Sequence, residues 1–216
     1  MRWAVLVGGQ GTNLKALLEA GIEVAVVVSH RAGVGALGIA ADYRVPAEVL
    51  LPRQFSDRAA YGQALREILA RFGVEGILLA GFLRWLDQDT VEHYRNRILN
   101  IHPSLLPAFP GLDGVGQALR WGVRWTGVTV HIVDEGQDTG PIVAQCPVPV
   151  AADDDEESLA AKIHAVEHRL YPAVVKAFDQ GLIRVEGRQV RIAGPVGSLL
   201  DHWAWNPVGA GLAGAT

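Results

Sequence analysis

The first half of the chain alternates short, unbroken apolar runs with longer segments in which apolar residues recur at helical spacing. The apolar runs predict buried strands at 3–7, 24–29, 48–51, 76–80 and 97–102. The segments between them predict helices near 13–20, 35–42, 57–72 and 87–95. Strands that are apolar on both faces and separated by helices are typical of a parallel sheet covered on both sides. We therefore expect an α/β fold with a mostly parallel, doubly wound, Rossmann-like sheet.

The pattern changes after residue 103. A Pro/Gly-rich loop leads to a predicted helix near 114–122, and the apolar runs 125–133 and 141–150 flank a polar loop. These two runs predict strands added to the same sheet. Acidic residues open a long helix near 156–178, where carboxylates favour the helix dipole, and 182–192 forms a hairpin about Glu186-Gly187. We expect an antiparallel C-terminal extension, one domain over 1–193, and a Gly/Ala-rich tail over 194–216 with no assigned role.

Composition narrows the class of protein. The chain has 216 residues, half of them hydrophobic, and a net charge of -4, which suits one α/β domain and gives no basic footprint for nucleic acid. Cys146 is the only cysteine, so no intramolecular disulfide forms, as fits a reducing cytosol. The first apolar run is too short for a signal peptide, and no run approaches the roughly 20 residues of a membrane span. We expect a cytoplasmic protein without membrane or nucleic-acid partners.

The loop "GGQGTN" (8–13) follows the first predicted strand, at the sheet edge where open α/β proteins bind ligands. It lacks the third glycine of the dinucleotide motif and the Gly-Lys-Ser/Thr of the phosphate loop. Small residues with exposed N–H groups before a helix still favour an anion. The alternative is an ordinary strand-to-helix turn.

Asn100 and His102 end the fifth predicted strand, at the same sheet edge. Residues two apart on a strand project to one side, and an amide beside an imidazolium makes an oxyanion site for acyl transfer. The alternative is a turn-forming asparagine and a structural histidine. Pro103, Pro107 and Pro110 stiffen the loop that follows.

Four other polar residues have competing interpretations. Asp138 in the loop 134–140 is either a solvated turn residue or a carboxylate that folds over to His102 and favours its charged form. His131 is interpreted as a buried core histidine, and Glu167 and His168 as neighbours on an exposed helix face.

Neither a cysteine nucleophile nor a metal is expected. Cys146 has no nearby base to activate it, and no His/Cys spacing matches a zinc site.

Taken together, the motifs resemble those of the phosphoribosylglycinamide formyltransferase family. The matching segments, in the family's order and spacing from Val5 to about Ile192, are "GGQGTNL", "DRAAY", "LAGFLRWL", "ILNIHPSLLPAFPG", "GVTVHIVDEGQDTGPI" and "EHRLYP". "NIHPSLLP" is shared with other folate-dependent formyltransferases, and the other segments narrow the resemblance.

The resemblance implies transfer of the formyl group of 10-formyltetrahydrofolate, a co-substrate, to the amine of glycinamide ribonucleotide in de novo purine biosynthesis, without a covalent enzyme intermediate. It implies three sets of residues. The catalytic set is Asn100, His102 and Asp138. The ribonucleotide set is Gly11, Thr12 and Asn13 for the phosphate, with Glu167 near the glycinamide end. The folate set is Arg58, Leu83, Arg84, Trp85, Leu86, Val133, Asp134 and Asp138.

One segment departs from the family pattern. Members usually carry polar and basic residues after the Pro-Gly of the proline loop, whereas this chain has Asp113, Gly114, Val115 and Gly116. We expect a less basic and more flexible loop there.

Three other functions are alternatives to the one that the resemblance implies. One is a formyltransferase for methionyl-tRNA, which normally adds an RNA-binding domain, and another is a formyltetrahydrofolate hydrolase, which normally adds an N-terminal domain. The third is a non-catalytic folate or nucleotide sensor. Small-molecule substrates and a monomer or homodimer are expected.

Overall fold

The computed structural model describes residues 1–193 and has a central sheet of seven strands in the order β3-β2-β1-β4-β5-β6-β7. Five strands run parallel: β1 (Trp3–Val7), β2 (Val24–Ser29), β3 (Ala47–Val49), β4 (Gly76–Ala80) and β5 (Ile98–His102). The strands β6 (Trp125–Ile132) and β7 (Ile142–Pro149) extend this sheet with antiparallel pairing. The predicted fold class is therefore confirmed.

The helices and the final hairpin also follow the predicted pattern, with ends that differ by two residues or fewer. The helices are α1 (Thr12–Glu19), α2 (Gly35–Asp42), α3 (Arg58–Arg71), α4 (Gln88–His93), α5 (Gly114–Trp121) and α6 (Glu156–Asp179). The hairpin strands β8 (Ile183–Glu186) and β9 (Gln189–Ile192) form a separate two-stranded sheet. The predicted tail, 194–216, lies outside the described residues.

The central strand β1 shows why the sheet needs helices on both faces. Its residues are all fully buried, but Trp3, Val5 and Val7 belong to the core on one face and Ala4 and Leu6 to the core on the other. The first core packs against α1 and α6, and the second against α3 and α4. Alternate burial on opposite faces is what an unbroken apolar strand requires.

Strand order creates a crevice at the carboxyl edge of the sheet. From β1 the chain builds β2 and β3 on one side, and it then returns to place β4 on the other side of β1. Loops that leave β1 and β4 therefore diverge, and ligands of open α/β sheets bind at this switch point. Tyr171 of α6 links the two strands β4 and β5, because its buried Oη lies 3.1 Å from the Leu79 carbonyl and 2.9 Å from the Leu99 carbonyl. Among residues 1–193, no helix is long and apolar enough to cross a membrane.

Candidate active site

A cavity of about 770 Å³ opens at the carboxyl edge of the sheet. Its lining brings together segments that are distant in the sequence, and it contains nearly every residue that the resemblance implied. These segments are Gly9–Asn13 after β1, Leu79–Leu86 at the end of β4, Asn100–Pro103 at the end of β5, Val133–Asp138 after β6, and His164 and Glu167 on α6.

Asn100 and His102 both contact this cavity from β5, and each is held by a neighbour. The Asn100 Nδ2 atom lies 3.0 Å from His131 Nε2 on the adjacent strand. The His102 Nε2 atom lies 2.8 Å from the Phe109 carbonyl, which accepts only, so this nitrogen carries a hydrogen. The His102 Nδ1 atom is then the nitrogen that faces Asp138.

Asp138 stands between two histidines. Its Oδ2 atom is 3.7 Å from His102 Nδ1, and its Oδ1 atom is 3.7 Å from His131 Nε2. The Gly111 amide donates to Oδ2 at 2.7 Å, which links the loop 134–140 to the proline loop. Burial alone raises the pKa of Asp138, but His131, the Gly111 amide and His102 together lower it below its usual value. The carboxylate therefore stays ionised beside the imidazole rings.

His131 is a site residue that sequence reasoning missed. It is buried and hydrogen-bonded, as expected of a core histidine, but it also lines the cavity and contacts Asn100. Its Nδ1 atom is 2.8 Å from the Ile132 carbonyl, and its Nε2 atom faces both the Asn100 amide and Asp138. The antiparallel register pairs His131 with Asn100. Register between separate strands has no local sequence signature, so nothing in the chain marked this contact.

The residues expected to bind the ribonucleotide lie on the first glycine loop and on α6. Gly11 precedes α1 with a φ of 82°, and no side chain caps the helix there, so the first-turn N–H groups remain available to an anion. Asn13 Nδ2 donates to Glu167 Oε2 at 2.9 Å. Glu167 is only 4% exposed, which corrects its interpretation as part of an exposed face. Burial raises its pKa, although the Asn13 hydrogen bond and His164 act against this rise.

The expected folate residues fall into two neighbouring cavities. The segment 83–86 lines the main cavity, with Leu83 60% and Trp85 49% exposed. Arg58 lies instead in a second cavity of about 610 Å³, which shares Leu83, Arg84 and Trp85 with the first. Tyr61 also lines the second cavity; its buried Oη has no partner, and burial raises its pKa to about 12. The structure therefore separates Arg58 from the main cavity but keeps it next to the shared segment.

Val133 and Asp134 belong to the loop that carries Asp138. Val133 lines the main cavity, and its amide donates to the Ile98 carbonyl. Asp134 Oδ1 accepts from the Gly136 amide at 3.0 Å and from Thr139 Oγ1 at 2.7 Å. The Asp134 carboxylate therefore holds the shape of its own loop.

The unusual segment 113–116 is tied to α5. Asp113 Oδ1 accepts from the Gly116 amide at 3.2 Å, and its Oδ2 atom pairs with Arg120 at 2.9 Å. Gln117 Nε2 donates to the Leu112 carbonyl at 2.9 Å. These contacts work against the predicted flexibility of the loop, and the absence of Lys and Arg from 113–116 agrees with the less basic loop expected there. In the part of the chain described here, no group of three or more His, Cys, Asp or Glu residues is placed to hold a metal ion.

Known proteins are similar to this chain in sequence and in fold. A model of the formyl transferase family matches residues 1–175. The chain belongs to the formyl transferase family. Phosphoribosylglycinamide formyltransferase of Bacillus subtilis (strain 168) is 40% identical over 181 residues, which cover 81% of this chain and 93% of that protein. This similarity confirms the resemblance drawn from the motifs.

Two further comparisons agree with the family assignment. Trifunctional purine biosynthetic protein adenosine-3 of Drosophila pseudoobscura pseudoobscura is 44% identical over 85% of this chain, which spans only 14% of that larger protein. The crystal structure of glycinamide ribonucleotide transformylase 1 from Symbiobacterium toebii is 44% identical with a TM-score of 0.88, covering 90% of this chain and 94% of that one. A formyltetrahydrofolate deformylase from Pseudomonas syringae shares the fold, with a TM-score of 0.81 at 22% identity.

Proposed function

We propose that this formyl transferase transfers the formyl group of 10-formyltetrahydrofolate to the amine of glycinamide ribonucleotide in de novo purine biosynthesis. The observation that carries the proposal is the convergence of Asn100, His102 and Asp138 on one crevice. An anion-favouring helix start and the exposed side chains of Leu83 and Trp85 both line this crevice. The names of relatives that match nearly their full length support the same activity.

The ribonucleotide phosphate binds at the glycine loop in this proposal. The uncapped start of α1 offers backbone N–H groups from Thr12 onward to the phosphate oxygens. Glu167 also lines the cavity and is hydrogen-bonded to Asn13, and its oxygens can accept from the glycinamide portion of the substrate. The amine is then directed towards Asn100 and His102.

The folate donor lies across the segment 83–86, where Leu83 and Trp85 offer exposed apolar area to its ring systems. Its carboxylates extend towards Arg84 and Arg58, which both line the second cavity. Val133 and Asp134 complete the donor side of the main cavity. This placement brings the formyl group to the same polar centre as the amine.

The chemical step is direct attack of the amine on the formyl carbon. A tetrahedral intermediate forms, and its oxygen gains negative charge. The Asn100 amide donates a hydrogen bond to this oxygen, and the charge of protonated His102 acts on it through a cavity of low dielectric. Asp138 keeps His102 charged and oriented, and the amine's proton leaves through water beside Asp138. When the intermediate collapses, the bond between the formyl carbon and the folate nitrogen breaks, the folate nitrogen takes up a proton from the same water, and tetrahydrofolate departs.

The deciding experiment is an acid-quench assay with 10-formyltetrahydrofolate labelled in its formyl group. We expect labelled formylglycinamide ribonucleotide that depends on both substrates. Labelled formate released equally without glycinamide ribonucleotide would indicate a hydrolase instead. Binding of both ligands with no product from folded protein would indicate a sensor. Cytoplasmic location and a monomeric or dimeric state remain predictions, which cell fractionation and light scattering test.

A further inference from the structure

His30 is a buried histidine that the proposed chemistry does not use. It follows β2 and is 7% exposed. Its Nδ1 atom lies 2.9 Å from the Val7 carbonyl, and because a carbonyl only accepts, Nδ1 carries the hydrogen and donates. Burial lowers the pKa of His30; the Val7 hydrogen bond opposes this shift, while Arg84 and Arg31 add to it. The ring is therefore a neutral hydrogen-bond donor.

The Cε1 edge of the His30 ring lies against the start of the glycine loop. A Cβ atom built on Gly8 would overlap the imidazole, with Cε1 as the nearest atom. The ring thus occupies the space that a side chain at position 8 would fill. It also donates a hydrogen bond to the carbonyl of Val7, the residue directly before the loop. On another side of this loop, the Ala36 amide of α2 donates to the Gly9 carbonyl at 3.2 Å. The loop is held from two directions, and His30 supplies one of them.

The same ring also contacts the donor side of the crevice. His30 and Phe82 meet edge to face, with centroids 5.0 Å apart and planes at 88°. Phe82 follows β4 and precedes the segment 83–86, whose first three residues are exposed and where the proposal places the folate. A single imidazole therefore contacts the loop assigned to the ribonucleotide phosphate and the segment assigned to the donor.

We infer that His30 is a positioning residue that holds the glycine loop and the segment 82–86 in place relative to each other, through two separable contacts. The hydrogen bond to the Val7 carbonyl positions the phosphate loop, and the ring contact with Phe82 positions the donor segment. This inference rests on the proposed function, because that function assigns a ligand to each segment. His30 does not touch the reacting atoms, so its loss acts on binding rather than on the chemical step.

Two substitutions separate the contacts. His30→Asn keeps an N–H donor for the Val7 carbonyl but removes the ring, so tetrahydrofolate should bind about fivefold more weakly, with ribonucleotide affinity within about twofold. His30→Phe keeps an aromatic ring against Phe82 but leaves the carbonyl unpaired, so the pattern should reverse, with a loss of about fivefold for the ribonucleotide. In both variants kcat should stay within about threefold of the wild-type value.

Calorimetric titration of glycinamide ribonucleotide and of tetrahydrofolate measures the two affinities, with thermal unfolding recorded for each protein. His93→Asn and His93→Phe are the matched controls, because His93 also packs edge to face on an aromatic ring, Tyr94, but lines neither cavity.

Equal losses for both ligands, or no loss in either variant, would overturn the inference. If His30→Phe does not fold, the selective loss expected for His30→Asn decides alone. Wild-type protein that forms no labelled product refutes the proposed function, whereas active wild type with unchanged His30 variants refutes only this inference.

Discussion

The proposed function assigns the two ligands to different parts of the crevice, a ribonucleotide end at the glycine loop and a donor end at the segment 83–86. At the ribonucleotide end, the groups are backbone amides at the start of α1 and the half-buried Asn13, which is hydrogen-bonded to the buried Glu167. At the donor end, they are the side chains of Leu83, Arg84 and Trp85, all exposed. A site made of backbone and buried groups is largely preformed. A site made of exposed side chains loses rotamer entropy when its ligand binds.

This contrast predicts how each end responds to mutation. Changes at the ribonucleotide end should damage folding and affinity together, because its binding groups are also part of the core packing. Changes at the donor end should weaken affinity at little cost in stability. The polar centre between the two ends should respond differently from both, with large losses in rate and small losses in binding.

The largest effect should come from the centre. Asp138→Asn keeps the size of the side chain but removes the charge that faces His102 and His131. We expect kcat to fall about 100-fold or more, with both dissociation constants within about threefold, as for the loss of groups that act on developing charge. Single-turnover rapid quench measures the chemical step. Asp153→Asn, at an exposed position outside both cavities, is the control. A near-wild-type rate would remove Asp138 from the mechanism.

The second largest effect should follow from Gly11→Ala at the ribonucleotide end. Gly11 has a φ of 82°, and its added Cβ would lie 2.6 Å from the Ala36 Cα, so the loop must move. We expect ribonucleotide affinity to fall more than about tenfold and stability to fall by about 1–3 kcal/mol.

Gly21→Ala is the matched control for this prediction. Gly21 has a φ of 78°, but nothing lies within 4 Å of the added Cβ, so it carries the same backbone strain without the collision. Glycinamide riboside, which lacks the phosphate, should bind equally to wild type and to Gly11→Ala if the loop serves the phosphate. A riboside that loses affinity as much as the ribonucleotide would make Gly11 a general structural position.

A smaller effect is expected at the donor end. Trp85→Ala removes a large side chain that is 49% exposed and lines both cavities. Tetrahydrofolate affinity should fall about three- to tenfold, with the melting temperature nearly unchanged. Trp125→Ala is the control, since Trp125 is 54% exposed and lines neither cavity. Equal tetrahydrofolate affinities in the two variants would contradict a donor role for the segment 83–86.

Much of this architecture was predictable because local patterns determine it. Strands buried on both faces must be apolar throughout, so runs such as 3–7 and 76–80 marked the sheet and its helices. Because side chains two residues apart on a strand project to the same side, Asn100 and His102 were expected to lie together. Because both lie at the carboxyl edge of the sheet, they were also expected near the glycine loop. These inferences need only residues close in sequence and one rule about open sheets.

The features that were missed all depend on contacts between distant segments. His131 joins the site because β6 pairs with β5 in one register and not another. Glu167 is buried because α6 packs against α1, which no pattern on α6 itself shows. The match between Gly8 and His30 likewise arises only when β1 and β2 are neighbours. The pattern along one helix or strand predicts which of its residues are buried, but it does not predict which distant segment they pack against.

The smallest effects should be opposite pH dependences of stability at Glu167 and Asp138. The pKa of Glu167 is raised by burial, so this carboxyl stabilises the fold most below its usual value of 4.5, and that stability is lost as pH rises through the higher native value. The pKa of Asp138 is lowered despite burial, through His131, the Gly111 amide and His102. Its contribution is present above the usual 3.8 and is lost as pH falls through the lower native value.

Urea unfolding across a pH series, compared with Glu167→Gln and Asp138→Asn, isolates each contribution. The free energy of unfolding of wild type relative to Glu167→Gln should decrease as pH rises above 4.5. Relative to Asp138→Asn, it should decrease as pH falls below 3.8. Slopes of the same sign in both comparisons would mean that the two carboxylates share one kind of environment. The distinction between a ribonucleotide end with a buried carboxyl and an ionised catalytic centre would then fail, because it requires a pKa raised by burial at Glu167 and a pKa lowered by its neighbours at Asp138.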